Sequence, residues 1–268
     1  MACGPITRIQ LCGQFAVIAD GGRVEPSLPG RRGRLLIAYL ATHRRHPVGR
    51  DQLIDALWPD GVSDAAAATL TVLLSKTRAL LGHDTIQGRS RLHLLLPETT
   101  IIDVETAAVA LHQAESAIAL GECRRAWSWV LAAQFTTERT FLDGYEAPWI
   151  TERRAQLELI HQQALACYAQ SCLAIGGTEL PGAERAARRL TALAPMSETG
   201  HRLLIEALAA RGDISSALRH FDQLRRTFTE ELGVDPGPQL RRLHQRLLTA
   251  GHDVPPNPPG LRDGQEGV

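Results

Sequence analysis

The hydrophobic positions of this chain change period along its length. Residues 6 to 29 hold short β-rich pieces, "ITRIQLCG" and "QFAVIADG", with partial alternation; Gly13 separates them and Gly21-Gly22 closes them. Helical spacing then takes over. In "RRGRLLIAYLATHR", residues 31 to 44, Leu35, Leu36, Tyr39 and Leu40 share a face, and Pro47 marks the end. "VGRDQLIDALWPD" predicts a second helix, opening near Arg50-Asp51 and stopped by Pro59, with Leu53, Ile54, Leu57 and Trp58 as its stripe. "AAAATLTVLLSKTRALLG", residues 65 to 82, predicts a third. At helical spacing Leu70, Leu73, Leu74, Thr77, Leu80 and Leu81 share one face, while Ala68, Thr71, Val72, Ser75, Lys76 and Ala79 share the other. Ser63 or Asp64 is placed to cap its start and Gly82 to end it. "TIQGRSRLHLLLP", 85 to 97, reads as a hairpin with the basic tip "GRSR".

Strands, three helices and a hairpin are the order of a winged helix-turn-helix, in which the third helix enters the DNA major groove. From about residue 103 the pattern is helical throughout. "ALAARGDISSALRHFDQL" (207 to 224) sets Ala207 and Ala217 on either side of a turn at Gly212-Asp213, with Phe221 following. "AIALGECRRAWSWVLAA" (117 to 133) repeats that layout around Gly121, and a less regular copy spans 173 to 195. This is the grammar of tetratricopeptide-like helix pairs, although an irregular helical domain has similar turns. A long helix begins near Pro148, with Trp149, Arg153, Leu157 and Ile160 at helical spacing. The Pro/Gly-rich end from Pro255 reads as a disordered tail. The expected fold class is therefore mainly α. An α+β winged-helix domain occupies residues 1–97, an all-α tetratricopeptide-like domain residues 98–250, and a tail residues 251–268.

Charge sharpens this division. The net charge is zero, from 29 basic and 29 acidic side chains. Residues 1 to 97 hold 12 basic and 7 acidic groups, a difference of +5, and the remainder hold 17 and 22, a difference of −5. A basic first part points to nucleic acid there. Lys76 is the only lysine, and no Gly-x-x-x-x-Gly-Lys pattern precedes it, which excludes a P-loop. Neither a Gly-x-Ser-x-Gly elbow nor an HExxH motif is present, so an enzyme is not expected. "HRRH" (His43, His46) has no carboxylate or thiol beside it and reads as a helix end, so no metal or cofactor is expected. The five cysteines fit neither a disulfide framework nor a zinc pair. No apolar run reaches the roughly 18 to 20 residues of a membrane span. A soluble, cytoplasmic protein with no membrane partner is expected.

Four stretches, in order, carry a family resemblance. These are "HPVGRDQLIDALWPD", "TLTVLLSKTRALLG", "FLDGYEAPWITERRAQL" and, most specific, "EELGVDPGPQLRRLHQRLL" (230 to 248). The chain resembles SARP-type transcriptional activators (the AfsR/DnrI/RedD family), which join an OmpR/PhoB-like winged helix to a bacterial transcriptional activation domain (BTAD). The resemblance implies a DNA-binding activator in the short two-domain form, without an ATPase module or receiver domain. It implies binding of double-stranded promoter DNA at direct repeats as a homodimer, and recruitment of RNA polymerase. Candidate DNA contacts are Thr71, Ser75 and Lys76 on the third helix, with Arg78 beside them. Arg50 and the wing residues Arg89 and Arg91 are placed for the phosphate backbone. For Arg78 an intramolecular salt bridge is the competing role. Departures concentrate on the same helix: Ala68, Thr71 and Leu73 stand where the family more often has Asn, Gln or another polar residue, and His. A protein–protein interaction module with a degenerate winged helix is therefore the alternative.

Overall fold

The structure, a computed structural model, describes residues 4–59, 61 and 65–252. It divides into two compact units, Met1–Tyr168 and Ala169–Val268.

The first unit opens with β1 (Ile6–Gln10), β2 (Ala16–Ala19) and β3 (Gly22–Arg23). Alternation along β2 sends Val17 and Ala19 inward, and a register shift between Ile6 and Arg8 brings Ile6 and Ile9 of β1 to the same side. Helices α1 (Gly30–Thr42), α2 (Arg50–Leu57) and α3 (Ala66–Leu81) follow, with the short strand β4 (Val48–Gly49) before α2. A hairpin, β5 (Ile86–Gln87) and β6 (Arg91–Leu94), comes next. Strand β7 (Ile101–Ile102) then returns to the first sheet. That sheet runs β3-β2-β1-β7, with β7 parallel to β1 and the other pairs antiparallel. The second sheet, β4-β6-β5, is antiparallel and carries the hairpin.

The expected helix faces are the observed ones. Leu70, Leu73, Leu74, Thr77 and Leu81 of α3 are buried, and they share a core with Leu36, Leu40 and Leu53. Each buried leucine stabilises the unit by about 1.5–3 kcal/mol. Gly82 ends α3 at φ +99, its N–H bonding the Arg78 carbonyl at 2.9 Å. The cap expected at Ser63 or Asp64 lies outside the described residues, as does the tail beyond residue 252.

The compact units divide elsewhere than at residues 97 and 98. Helices α4 (Asp103–Ala119) and α5 (Cys123–Thr137) and the first part of α6 (Pro148–Ile175) belong to the first unit. The reason is a set of long-range polar contacts and shared apolar burial. Asp103, 4% exposed, accepts from the amides of Leu11 and Cys12 at 2.8–3.0 Å, and from its neighbour Val104. Phe141, Leu142, Tyr145 and Ile150 join the core built by α1–α3. Trp149 donates its indole N–H to the Ala56 carbonyl at 3.1 Å and meets Tyr39 edge-on. Arg154 gathers the carbonyls of Phe141, Leu142 and Tyr145. The segment "FLDGYEAPW" is thereby fastened into the winged-helix core. A second, alanine-rich cluster packs α4 on α5 through Ala110, Ala114, Ala126, Val130 and Ala133.

The second unit contains α7 (Leu180–Leu193), α8 (Glu198–Ala210), α9 (Ile214–Leu232) and α10 (Pro238–His252). The α8–α9 pair has the predicted grammar. Ala207 and Ala217 are fully buried, Phe221 packs beside them, and Gly212 turns the chain at φ +84. Ser197 and Asp213 cap the two helices by accepting the amides of Gly200 and Ser216. The signature "EELGVDPGPQL" has a mechanical role. Gly233 at φ +68 terminates α9, and Pro238 opens α10.

Candidate nucleic-acid interface

The winged helix gathers the residues expected to meet DNA, and the structure sorts them into two groups. In the first group the polar atoms are already engaged. Arg50, at the start of α2, donates from Nη2 to Thr71 Oγ1 at 2.7 Å and to the Ala67 carbonyl at 3.3 Å. Its backbone N–H reaches the Ser90 carbonyl at 3.2 Å, so one residue ties α2 to both α3 and the wing. Arg78 donates Nε to the Ile86 carbonyl and Nη2 to the Gly88 carbonyl, both at 2.8 Å. Arg91 donates Nη2 to the Pro47 carbonyl at 3.1 Å. Thr71 donates its hydroxyl to the Ala67 carbonyl one turn back, at 2.9 Å. Arg78 is thus held by an intramolecular contact, but with main-chain carbonyls and not a carboxylate.

The second group is Ser75, Lys76 and Arg89. All three are exposed, and none forms a hydrogen bond or ion pair among the described residues. Ser75 and Lys76 lie on the outer face of α3, and Arg89 at the hairpin tip. The tip depends on Gly88, at φ +97, where a Cβ would collide with the Arg91 carbonyl oxygen. The hairpin is therefore a wing of fixed shape, clamped by Arg78 to the helix beside it.

Sequence reasoning missed the N-terminus of α1. Arg31 and Arg32 line a groove with Thr69, Val72 and Lys76 of α3, and Glu146 lies on its wall. Arg31 stacks over the Tyr145 ring at 4.0 Å and bonds the Gly144 carbonyl, and Arg32 lies over Trp58 at 4.9 Å. The run "RRGR" carried that information, but helical spacing alone reads it as a helix start.

The remaining candidate chemistry is structural. His43 closes α1, stacking on Tyr39 and bonding the Tyr39 carbonyl at 2.8 Å. Among the described residues Cys12, Cys123, Cys167 and Cys172 form no disulfide. Burial, with a smaller push from Asp103, raises Cys12 to about 12, and burial, then Glu115, raises Cys167 to about 11, so neither is a ready nucleophile. Among the described residues no group of three or more His, Cys, Asp or Glu is arranged to hold a metal. Among them, too, no helix is long and apolar enough to cross a membrane.

Residues 102–248 match the model of the bacterial transcriptional activator domain. The chain belongs to that family. The match bears out the SARP resemblance and agrees with individual relatives. The regulatory protein AfsR of Streptomyces griseus is 30% identical over 226 residues, covering 84% of this chain and 23% of AfsR. The transcriptional regulatory protein EmbR of Mycobacterium tuberculosis is 30% identical over 252 residues, covering 89% of this chain and 62% of EmbR. A solved structure of that EmbR, in complex with a low-affinity phosphopeptide, superposes with a TM-score of 0.78 at 25% identity. It covers 91% of this chain and 65% of the EmbR chain. This BTAD-family chain therefore spans less than two thirds of the length of these relatives.

Proposed function

We propose that this protein is a transcriptional regulator that binds double-stranded promoter DNA through α3 and the β5–β6 wing. The observation that carries the reading is the uncompensated positive charge of that surface. Arg50, Lys76, Arg78, Arg89 and Arg91 form no ion pair with any described residue. Carbonyl bonds orient three of them without cancelling their charge. In this reading residues 1–97 supply DNA contact and residues 98–250 the activation domain. Lys76, Arg89 and Arg91 hold phosphates, Thr71 and Ser75 face the bases, and Arg50 and Arg78 set the geometry. Homodimers on direct repeats, recruitment of RNA polymerase, an activating role and a cytoplasmic setting belong to the same proposal. A mobility-shift titration of the full chain against the DNA upstream of its own gene tests it. Salt-sensitive retardation at low ionic strength is expected, and its absence refutes the reading.

One observation favours a second reading, a partner-binding module. Helix α5 exposes Trp127, Trp129, Leu131 and Phe135 along 15 residues. Under that reading Lys76→Ala leaves every binding activity unchanged. Under the first it weakens DNA binding.

A further inference from the structure

Helices that read DNA ordinarily do so with two-pronged side chains, Arg donating twice to guanine, or Asn and Gln donating to and accepting from adenine. Helix α3 has no such instrument. Its sequence, AAATLTVLLSKTRALL, contains no Asn, Gln or His, and the fork of its only arginine, Arg78, is engaged with the Ile86 and Gly88 carbonyls. Its exposed threonines are turned inward chemically. Thr69 donates its hydroxyl to the Ala65 carbonyl at 2.9 Å and Thr71 to the Ala67 carbonyl at 2.9 Å. Thr71 Oγ1 also accepts from Arg50, at 2.7 Å. With its hydroxyl spent on the helix, a threonine offers its methyl group to an outside ligand. Beside these two threonines stand Ala67, Ala68 and Val72, with Ala79 two turns on, all exposed, Val72 by 53%.

The surface thus has methyl groups set around the single free hydroxyl of Ser75, and a cationic rim of Lys76, Arg89 and the ends of Arg50 and Arg91. Helix α3 carries no acidic side chain. A major groove lined by thymines presents the complement: 5-methyl groups at its floor and phosphates along both edges. We infer that α3 reads its operator through thymine methyl groups, with Thr71 and Val72 as the specificity-determining residues. This rests on the proposal that α3 enters the major groove. Each methyl contact buries about one carbon's worth of apolar surface and is worth about fourfold in affinity, by the 0.8 kcal/mol of a buried methylene. A forked contact is worth about five- to more than a hundredfold. Discrimination by one protomer is therefore shallow, and repeated half-sites must supply the rest through avidity.

The test uses the full chain and duplexes selected from a random pool at low salt. Each thymine of the selected consensus is replaced in turn by deoxyuridine, which pairs identically but lacks the 5-methyl group. The expected result is a loss of about fourfold at each contacted thymine. Val72→Ala, at an exposed position that leaves the melting temperature unchanged, should bind more weakly and become indifferent to deoxyuridine at one of those positions. A consensus that binds well yet stays within twofold after every deoxyuridine replacement overturns the inference and leaves DNA binding standing. Selection that enriches no sequence and yields no salt-sensitive binding overturns the inference and the proposed function together.

Discussion

Four arginines of the second unit and three arginines around α3 and the wing are held by different partners. In the second unit they meet carboxylates. Arg188 and Arg211 converge on Glu184, Arg202 takes both oxygens of Glu206 at 2.9 Å, and Arg225 lies 4.0 Å from Asp222. Around α3 and the wing Arg50, Arg78 and Arg91 meet main-chain carbonyls, whereas Arg23 and Arg44, elsewhere in the same unit, pair with Glu25 and Glu105. A carboxylate cancels the charge it fixes, whereas a carbonyl fixes the guanidinium and leaves its charge in place. The charges of Arg50, Lys76, Arg78, Arg89 and Arg91, which contribute to the excess of +5 over residues 1 to 97, thus stay unpaired on the surface that would need them. The same device gives the wing its shape.

The contrast has a mirror image in Asp103, a carboxylate held by amides. Burial pushes its carboxyl pKa up, while the amides of Cys12, Leu11 and Val104 and the Arg139 charge pull it down. Replacing it leaves buried N–H groups unpaired. Asp103→Ala is expected to lower the stability of the chain by about 2–4 kcal/mol in denaturant unfolding. A loss below about 1 kcal/mol would mean that the carboxylate does not fasten α4 to the first sheet.

Arg78→Ala removes two carbonyl bonds at a half-buried site and should cost about 1–2 kcal/mol. Its sharper readout is faster amide exchange over residues 86–94. Arg78→Lys should not restore protection, because an ammonium cannot span both carbonyls as a fork does. Unchanged exchange in both variants would remove the clamp from the account.

The second unit has a pH-sensitive element of its own. His201 donates Nε2–H to the Pro195 carbonyl at 2.7 Å, and its Nδ1 shares one proton with His220 Nε2 at 2.9 Å. With one proton between those two nitrogens, the two rings cannot both be charged in the fold. Burial lowers both pKa values, and His201 and Arg188 add to the effect at His220, which falls to about 4. A depressed histidine contributes stability that is complete above its unfolded value of about 6.5 and is lost as the pH falls toward the folded value. Partial exposure shrinks the effect. Between pH 7 and pH 5 the melting temperature should drop by a few degrees, and His220→Gln should flatten that dependence. The smallest expected effect is Arg202→Ala, within about 1 kcal/mol, since the Arg202–Glu206 pair is only part-buried. It should leave DNA binding unaltered.

The sequence made some of this legible and hid the rest for physical reasons. Helix α3 was readable because Leu70, Leu73, Leu74 and Leu81 keep helical spacing, and the wing because Gly88 interrupts a β-rich run. The clamp by Arg78 was not readable, because its partners are carbonyls, which every residue carries. The junction through Asp103 was hidden by distance along the chain: its partners Leu11 and Cys12 lie 92 and 91 residues away. Hence the winged helix looked separable after residue 97, while Phe141, Tyr145 and Ile150 in fact complete its core. The depleted face of α3 was visible from the start. What it could not disclose was that the hydroxyls of Thr69 and Thr71 are already spent.

The central claim is that positive charge left unpaired in the winged helix meets DNA phosphates. It is tested most directly by the salt dependence of binding to a selected duplex, compared between the wild type and the Lys76→Ala/Arg89→Ala double variant. The account predicts a log–log slope shallower by about 2 in the variant, since each phosphate contact contributes about 0.9. An unchanged slope, or wild-type binding that does not respond to salt, would contradict it.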